Sequence, residues 1–310
     1  MRVAVLGAAG RLGHALIAAL ADAPFSGPSG PVAWTRTDLD LERPEAISDL
    51  LAGAGVDVVV HAAAWTDVDG CAADPQRALR LNGTATGIIA AACAARRVDL
   101  LFISTNEVFD GERTDGAGYG PDDEPRPVNA YGAAKLAGER AAAAAYAAAA
   151  PGALGTAPGA LGIVRTAWLY GPPGNDFPDR ILRAADRARS AGSPLRVVSD
   201  EIGTPTRTAD LAEAIVELIA EDAVSGTHHL VNGGAVSRAE WARAILDRHG
   251  IAVAIEEIPG SSWERPSRPP RWGVLEPTPL PSGIPMRPWL EALRDDVAER
   301  RSLRFGATAR

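Results

Sequence analysis

Val3-Ala-Val-Leu-Gly7-Ala-Ala-Gly10-Arg-Leu-Gly13 is the stretch that decides the fold. Val3–Leu6 is an apolar run with β-branched residues at alternate positions, which reads as a buried strand. The glycines at 7, 10 and 13 read as a tight turn, and Leu12–Ala21 has the apolar spacing of a helix. Such a strand–turn–helix brings backbone N–H groups and the positive end of a helix to one point, where a pyrophosphate can sit. The spacing is GxxGxxG rather than GxGxxG. The turn alone is therefore a weak signal, and its strand-to-helix context is what strengthens it.

Outward from this turn, strands are expected at Val32–Trp34, Val56–His61, Leu100–Ser104 and Ile163–Thr166, and helices at Glu45–Ala52, Pro75–Arg96 and Asn129–Ala150. Strands apolar on both faces, alternating with helices, specify a doubly wound α/β fold with a parallel sheet covered on both sides. Pro151–Gly159, a run of small residues, reads as a surface insertion without chemistry. Later helices are expected at Asp179–Ser190, Thr208–Ala220, Ser237–His249 and Trp289–Arg300, with strands at Leu195–Val198 and His228–Val231. The proline-dense segment Pro259–Pro288 suits loops wrapped over a site. The expected division is a dinucleotide-binding domain over residues 1–170, to which 197–230 returns. Residues 171–196 and 231–310 are expected to form a smaller α/β substrate lobe.

At 310 residues, with 46% hydrophobic and 23% charged side chains, the chain has ordinary soluble globular composition. A net charge of −8 offers no field for nucleic acid or an anionic membrane, so an anionic ligand must be held by local groups. Cys71 and Cys93 lack CxxC spacing and read as small buried hydrophobes. The five histidines show no metal-ligand spacing, and no metal is expected. No apolar run approaches the roughly 18 residues a membrane span needs, and the N-terminal run is too short for a signal peptide. A cytoplasmic protein is expected.

Chemistry is expected where the fourth strand ends, at Ser104-Thr105, because ligands of doubly wound sheets bind beyond the carboxyl ends of the strands. Tyr131 and Lys135 lie one helical turn apart on one face. Lys135 is the only lysine among 31 basic residues, which points to a task that guanidinium cannot perform. Reducing a ketone needs a proton donor for the developing alkoxide, and Tyr131 can serve if an adjacent ammonium and an oxidised nicotinamide lower its pKa. Thr105 can hold the carbonyl oxygen, and Lys135 can also bond the nicotinamide ribose. After the second strand, Thr35-Arg36 stands where an acid would bind a ribose 2′-hydroxyl, so NADPH is favoured over NADH. Arg36 is the first partner for a 2′-phosphate and Arg11 the second. Asp40-Leu41 can contact adenine, and Ala62-Ala63-Ala64 let backbone pass close to the cofactor.

Together these elements resemble the extended short-chain dehydrogenase/reductase superfamily, and within it the dTDP-4-dehydrorhamnose reductase family. The resemblance runs over nearly the whole chain: the glycine turn, Asp57–Asp69, Ser104-Thr105 with Val108–Gly111, Asn129–Glu139, Arg165–Gly171, Asp200–Thr206 and Arg268–Arg271. It implies a Rossmann-like fold and NADPH-dependent reduction of the C4 ketone of a nucleotide-linked 6-deoxysugar. It also implies Thr105, Tyr131 and Lys135 as the catalytic set. Gly7, Gly10, Arg11, Leu12 and Ala62–Ala64 would face the cofactor, and Val68, Trp168 and the Arg268 loop the substrate. Arg268, and after it Arg207, would clamp the diphosphate. The family's usual Ser-Thr-Asp-Tyr-Val-Phe is Ser104-Thr-Asn-Glu-Val-Phe109 here, which puts Asn106 and Glu107 beside the sugar. That departure keeps a nucleotide-sugar epimerase or dehydratase open as an alternative, and a non-catalytic NADP-binding regulatory subunit is a further one. A homodimer is compatible with the resemblance.

Overall fold

In the computed structural model the described residues are 1–149 and 159–307, with side chains to residue 302. Three βα units and a fourth strand come first: β1 (Val3–Leu6), α1 (Arg11–Ala21), β2 (Val32–Trp34), α2 (Ile47–Ala54), β3 (Val58–His61), α3 (Val68–Ala73), α4 (Pro75–Ala78), α5 (Ala85–Ala95) and β4 (Asp99–Thr105). Then come α6 (Ala130–Ala148), β5 (Leu161–Thr166), β6 (Leu169–Tyr170), α7 (Phe177–Ala191), β7 (Leu195–Val198), β8 (Ile202–Gly203), β9 (Thr206–Arg207), α8 (Thr208–Ala220) and β10 (Gly226–His229). The chain closes with β11 (Val236–Ser237), α9 (Arg238–His249), β12 (Ile255–Ile258), β13 (Trp272–Gly273) and α10 (Trp289–Ala307). The predicted insertion Pro151–Gly159 falls, but for Gly159, outside the described residues, as does Ala150.

The main sheet has the order β10-β5-β4-β3-β1-β2, and all its pairings are parallel. Alternation along each strand sends Val3 and Val5 to one face and Ala4 and Leu6 to the other. The first face packs on Leu12, Leu16 and Leu20 of α1 and on Leu211, Ile215 and Leu218 of α8. The second packs on α2, α5 and α6 through Ile47, Ile89, Cys93 and Tyr146. Each such buried side chain contributes about 1.5–3 kcal/mol, so strands buried on both faces fix the sheet firmly. This is a Rossmann-like doubly wound architecture.

The smaller lobe gathers α7, α9 and α10 around Trp241, and β7 pairs there with β12. A return to the main sheet at residue 197 is thus early. The return is made by α8, which packs on α1, and by β10, which pairs with β5. The predicted strand His228–Val231 forms over Gly226–His229, because its ladder to Gly162–Arg165 is made by backbone groups that side-chain propensity does not report. The long helix predicted over Pro75–Arg96 is interrupted by a π-helical segment, Leu79–Thr84. There the Asn82 side chain accepts from Trp65 N–H at 2.8 Å and donates to Trp65 O at 3.0 Å, tying the loop after β3 to the helix.

Candidate active site

The glycine turn comes first because it sets where everything else can stand. Gly7 has φ +90°, and a Cβ there would lie 2.7 Å from Ala63 N; a Cβ at Gly13 would overlap the Gly7 carbonyl oxygen. The turn therefore packs directly on the alanines after β3. Helix α1 begins with no side-chain cap and no acid in its first turn, which leaves its positive end open to an anion. Gly10, Ala62 and Ala64 line two adjoining cavities, one of about 270 Å³ and one of about 400 Å³. The first also has Thr35, Arg36, Asp40 and Leu41 in its wall. Arg36 is 76% exposed on its side chain and pairs with Asp40 at 3.3 Å, a contact weak enough for a phosphate to displace. Arg11 lines the second cavity and not the first, so Arg36 rather than Arg11 shares a wall with Thr35 and Asp40. The Arg11 Nε is buried with no hydrogen bond. An uncapped helix end, alanine-lined backbone and an unsatisfied guanidinium nitrogen fit a dinucleotide.

The second cavity is the candidate reacting centre, because Thr105, Tyr131 and Lys135 share its wall. Thr105 ends β4, and its Oγ1 accepts from Glu107 N–H at 3.2 Å and contacts Asn106 Oδ1 at 3.4 Å. Asn129 caps α6 by accepting from Gly132 N–H at 2.8 Å, so the next turn presents Tyr131 and Lys135 to the same cavity. Lys135 is 2% exposed, with Nζ 3.9 Å above the Phe102 ring. His61, fully buried, tilts against the same ring at 5.4 Å.

Burial governs the electrostatics of this centre. It draws the Lys135 ammonium down to about 7, against the opposing pull of Glu139. Burial and then the charge of Lys135 hold His61 near 3, so His61 is neutral. The Tyr131 phenol is pushed well above its ordinary value by burial and then by Glu107, and only the hydrogen bond with Thr105 pulls the other way. The expectation that the ammonium and an oxidised nicotinamide together acidify this phenol concerns the cofactor-bound protein; in the free protein burial and Glu107 hold the phenol above its ordinary value. Desolvation disfavours the charged form of each group. A protonated phenol is the form that can give up a proton.

Asn106 is buried, and its Nδ2 donates to Gly273 O at 3.0 Å, which links β4 to β13. A carboxylate could not make that bond, which accounts for an amide here. Glu107 Oε2 accepts from Asn129 Nδ2 at 2.7 Å, and burial raises its carboxyl pKa. Val68 and Trp168 also line the reacting centre. Trp168 adopts φ +44° and stacks on Trp241 at 5.7 Å, with the Arg238 guanidinium 3.5 Å above its ring. It is both part of the core and part of the cavity wall.

A third cavity, about 1040 Å³, opens from the second past Val68, Glu107 and Arg238. Its wall carries Arg180, Arg183 and Arg187, spaced along one face of α7, and Arg265. Among the described residues Arg180 and Arg187 have no ion pair. Of the two arginines expected as clamps, Arg207 stands elsewhere, and Arg268 lies in the loop whose Arg265 and Pro269 line this cavity. Arg207 is bound to Asp210 at 3.1 Å and Glu299 at 2.7 Å, and the exposed Arg268 is outside the lining that includes Arg265 and Pro269. Sequence reasoning missed Arg180, Arg238 and Arg265. The signal available was the arginine spacing at 180, 183 and 187 within a predicted helix.

Comparison with known proteins adds four findings. The family described as "RmlD substrate binding domain" matches residues 1–302. A dTDP-4-dehydrorhamnose reductase of Mycolicibacterium smegmatis is 35% identical over 301 residues, 96% of this chain and 85% of that protein. Among solved structures, a dTDP-4-dehydrorhamnose reductase of Clostridium acetobutylicum has a TM-score of 0.85 at 30% identity, covering 97% of this chain and all of the other. The Bacillus anthracis enzyme, solved in complex with NADP, has a TM-score of 0.83 at 27% identity, covering 96% of this chain and 99% of the other.

Proposed function

The chain belongs to the RmlD substrate-binding family, and from that premise we propose that it reduces the C4 ketone of a nucleotide-linked 6-deoxysugar with NADPH, converting dTDP-4-dehydrorhamnose or a close relative to the 4-hydroxy sugar. The observation that carries this reading is a single cavity in which Thr105, Tyr131 and Lys135 stand across from the glycine turn. Gly7, Gly10, Leu12 and Ala62–Ala64 would cradle the dinucleotide, with Arg36 taking the 2′-phosphate and Asp40 and Leu41 beside the adenosine. NADPH, when bound, supplies the hydride that the sugar carbon accepts.

The residues do the rest. Thr105 Oγ1 holds the carbonyl oxygen, and the protonated Tyr131 phenol, kept neutral by burial, delivers its proton to that oxygen as negative charge develops. Lys135 then steadies the phenolate, since a buried ammonium near its midpoint can carry charge when an anion forms beside it. Val68, Trp168 and Arg238 enclose the sugar, and the arginine-walled cavity takes the diphosphate. This reading carries a cytoplasmic location with it.

The test is purified protein with NADPH and dTDP-4-dehydrorhamnose, followed by the absorbance of the reduced nicotinamide. Turnover is expected, with a loss of at least about 100-fold in kcat for Tyr131→Phe and for Lys135→Arg. Glu107, a carboxyl beside Tyr131, is the specific observation favouring an epimerase or dehydratase. Redox-neutral conversion of the sugar without NADPH oxidation would establish that alternative and end the reductase reading.

A further inference from the structure

We propose that Glu107 is the residue by which this chain selects sugars that carry a hydroxyl at C2 or C3, a role that rests on the reductase reading above. Glu107 belongs to the walls of both the reacting centre and the arginine-walled cavity, so it stands at the throat between them. A pyranose with C4 against Thr105 and Tyr131, and its anomeric oxygen toward Arg180 and Arg187, must cross that throat. On one side of the ring the atoms that cross are C3 and C2.

The carboxyl is positioned for such a contact. Oε2 is held by Asn129 Nδ2 at 2.7 Å, and that side chain is itself fixed by capping α6 and by donating to Arg268 O at 3.1 Å. Oε1 has no hydrogen-bond partner among the described residues. Arg238 and Arg265 face the group, and Glu201 opposes them. A half-buried carboxylate with one oxygen fixed and the other open is an acceptor in want of a donor, and a sugar hydroxyl is the donor that the proposed substrate brings. A sugar deoxygenated at that carbon would leave Oε1 desolvated and unpaired, and the cost of that unpaired acceptor produces the selectivity.

The experiment is calorimetric binding to the full chain saturated with NADP, using dTDP-L-rhamnose and its 2-deoxy and 3-deoxy analogues. One analogue should bind at least about tenfold more weakly than the parent sugar, the loss expected for a hydrogen bond to a charged group. In Glu107→Gln, which keeps the length of the side chain and can still accept from Asn129, that gap should shrink to within about threefold. The comparison is a ratio within one preparation, so a general loss of stability does not imitate it. If the variant does not fold, the wild-type ratio decides alone. Equal affinity for all three sugars, or an undiminished gap in Glu107→Gln, overturns the role of Glu107 and leaves the reductase reading standing. Failure to bind any of the three overturns both.

Discussion

Lys135 keeps its side chain in a space with 2% exposure, beside an aromatic face and a neutral histidine, and that burial sets its titration. Its folded value of about 7 lies below the ordinary 10.5. Between those values the unfolded chain holds one more proton at this site than the folded chain, so this site's contribution to stability rises with pH across the window. The cost is fully present below about pH 7. Lys135→Met is therefore expected to be more stable than the parent near neutral pH. The advantage should shrink by about 1.4 kcal/mol per pH unit between about pH 7 and pH 9, as read by urea denaturation. The raised thiols of Cys71 and Cys93 act at higher pH and are common to both proteins, so they cancel in the difference. A gap that does not change with pH would mean that the lysine is charged and satisfied in the fold. The identities of Thr105, Tyr131 and Lys135 were legible because helical spacing alone aligns the last two. The direction in which the phenol titrates was not, since it depends first on burial and then on Glu107 and Cys71, all of which only folding supplies. Arg207 was misread for the same reason, its acids being Asp210 nearby and Glu299 far along the chain.

The elements around the centre are held in place by amides as well as by packing. Asn129 starts α6, and Asn106 ties the end of β4 to β13, where Trp272–Gly273 pairs with β8. Asn106→Asp, which restores the residue usual in the resembling family, removes the donor to Gly273 O and sets a buried carboxylate against a carbonyl oxygen. The expected loss is about 1–3 kcal/mol at neutral pH, partly recovered in acid, where the protonated carboxyl can donate again. Chemical denaturation at two pH values measures this, and an unchanged midpoint at neutral pH would show that β13 is not held through this bond. The βα alternation of the first half was legible because each buried strand advertises itself by composition. The short ladders of the smaller lobe were not: β8 pairs with β13 across a long chain separation through backbone groups alone. The π turn at Leu79–Thr84 was hidden too, because what accompanies it is the fit of Asn82 to the Trp65 backbone.

Across the whole molecule, three adjoining cavities run from Arg36 through Tyr131 to Arg187, on a chain whose net charge is −8. Both proposed ligands are polyanions, so the global field and the local walls act in opposite senses. Range separates them. At about 0.01 M salt the screening length is about 30 Å, and the excess of acids over the whole surface is felt at the site; at about 0.15 M it is about 8 Å, and only the nearby groups remain. The pairs that occupy Arg36 and Arg265 are exposed and each worth no more than about 1 kcal/mol, so an incoming phosphate can compete for these guanidinium groups. NADPH affinity is therefore expected to hold level or rise as salt increases from about 0.01 M to about 0.15 M, because repulsion by the distant acids fades first. Toward about 1 M it should fall, once the screening length of about 3 Å begins to weaken the contacts themselves. Fluorescence titration across that range gives the curve. A steep, steady fall from the lowest salt upward would mean that the local arginines dominate at every distance and that the net charge of the chain has no bearing on how its ligands arrive.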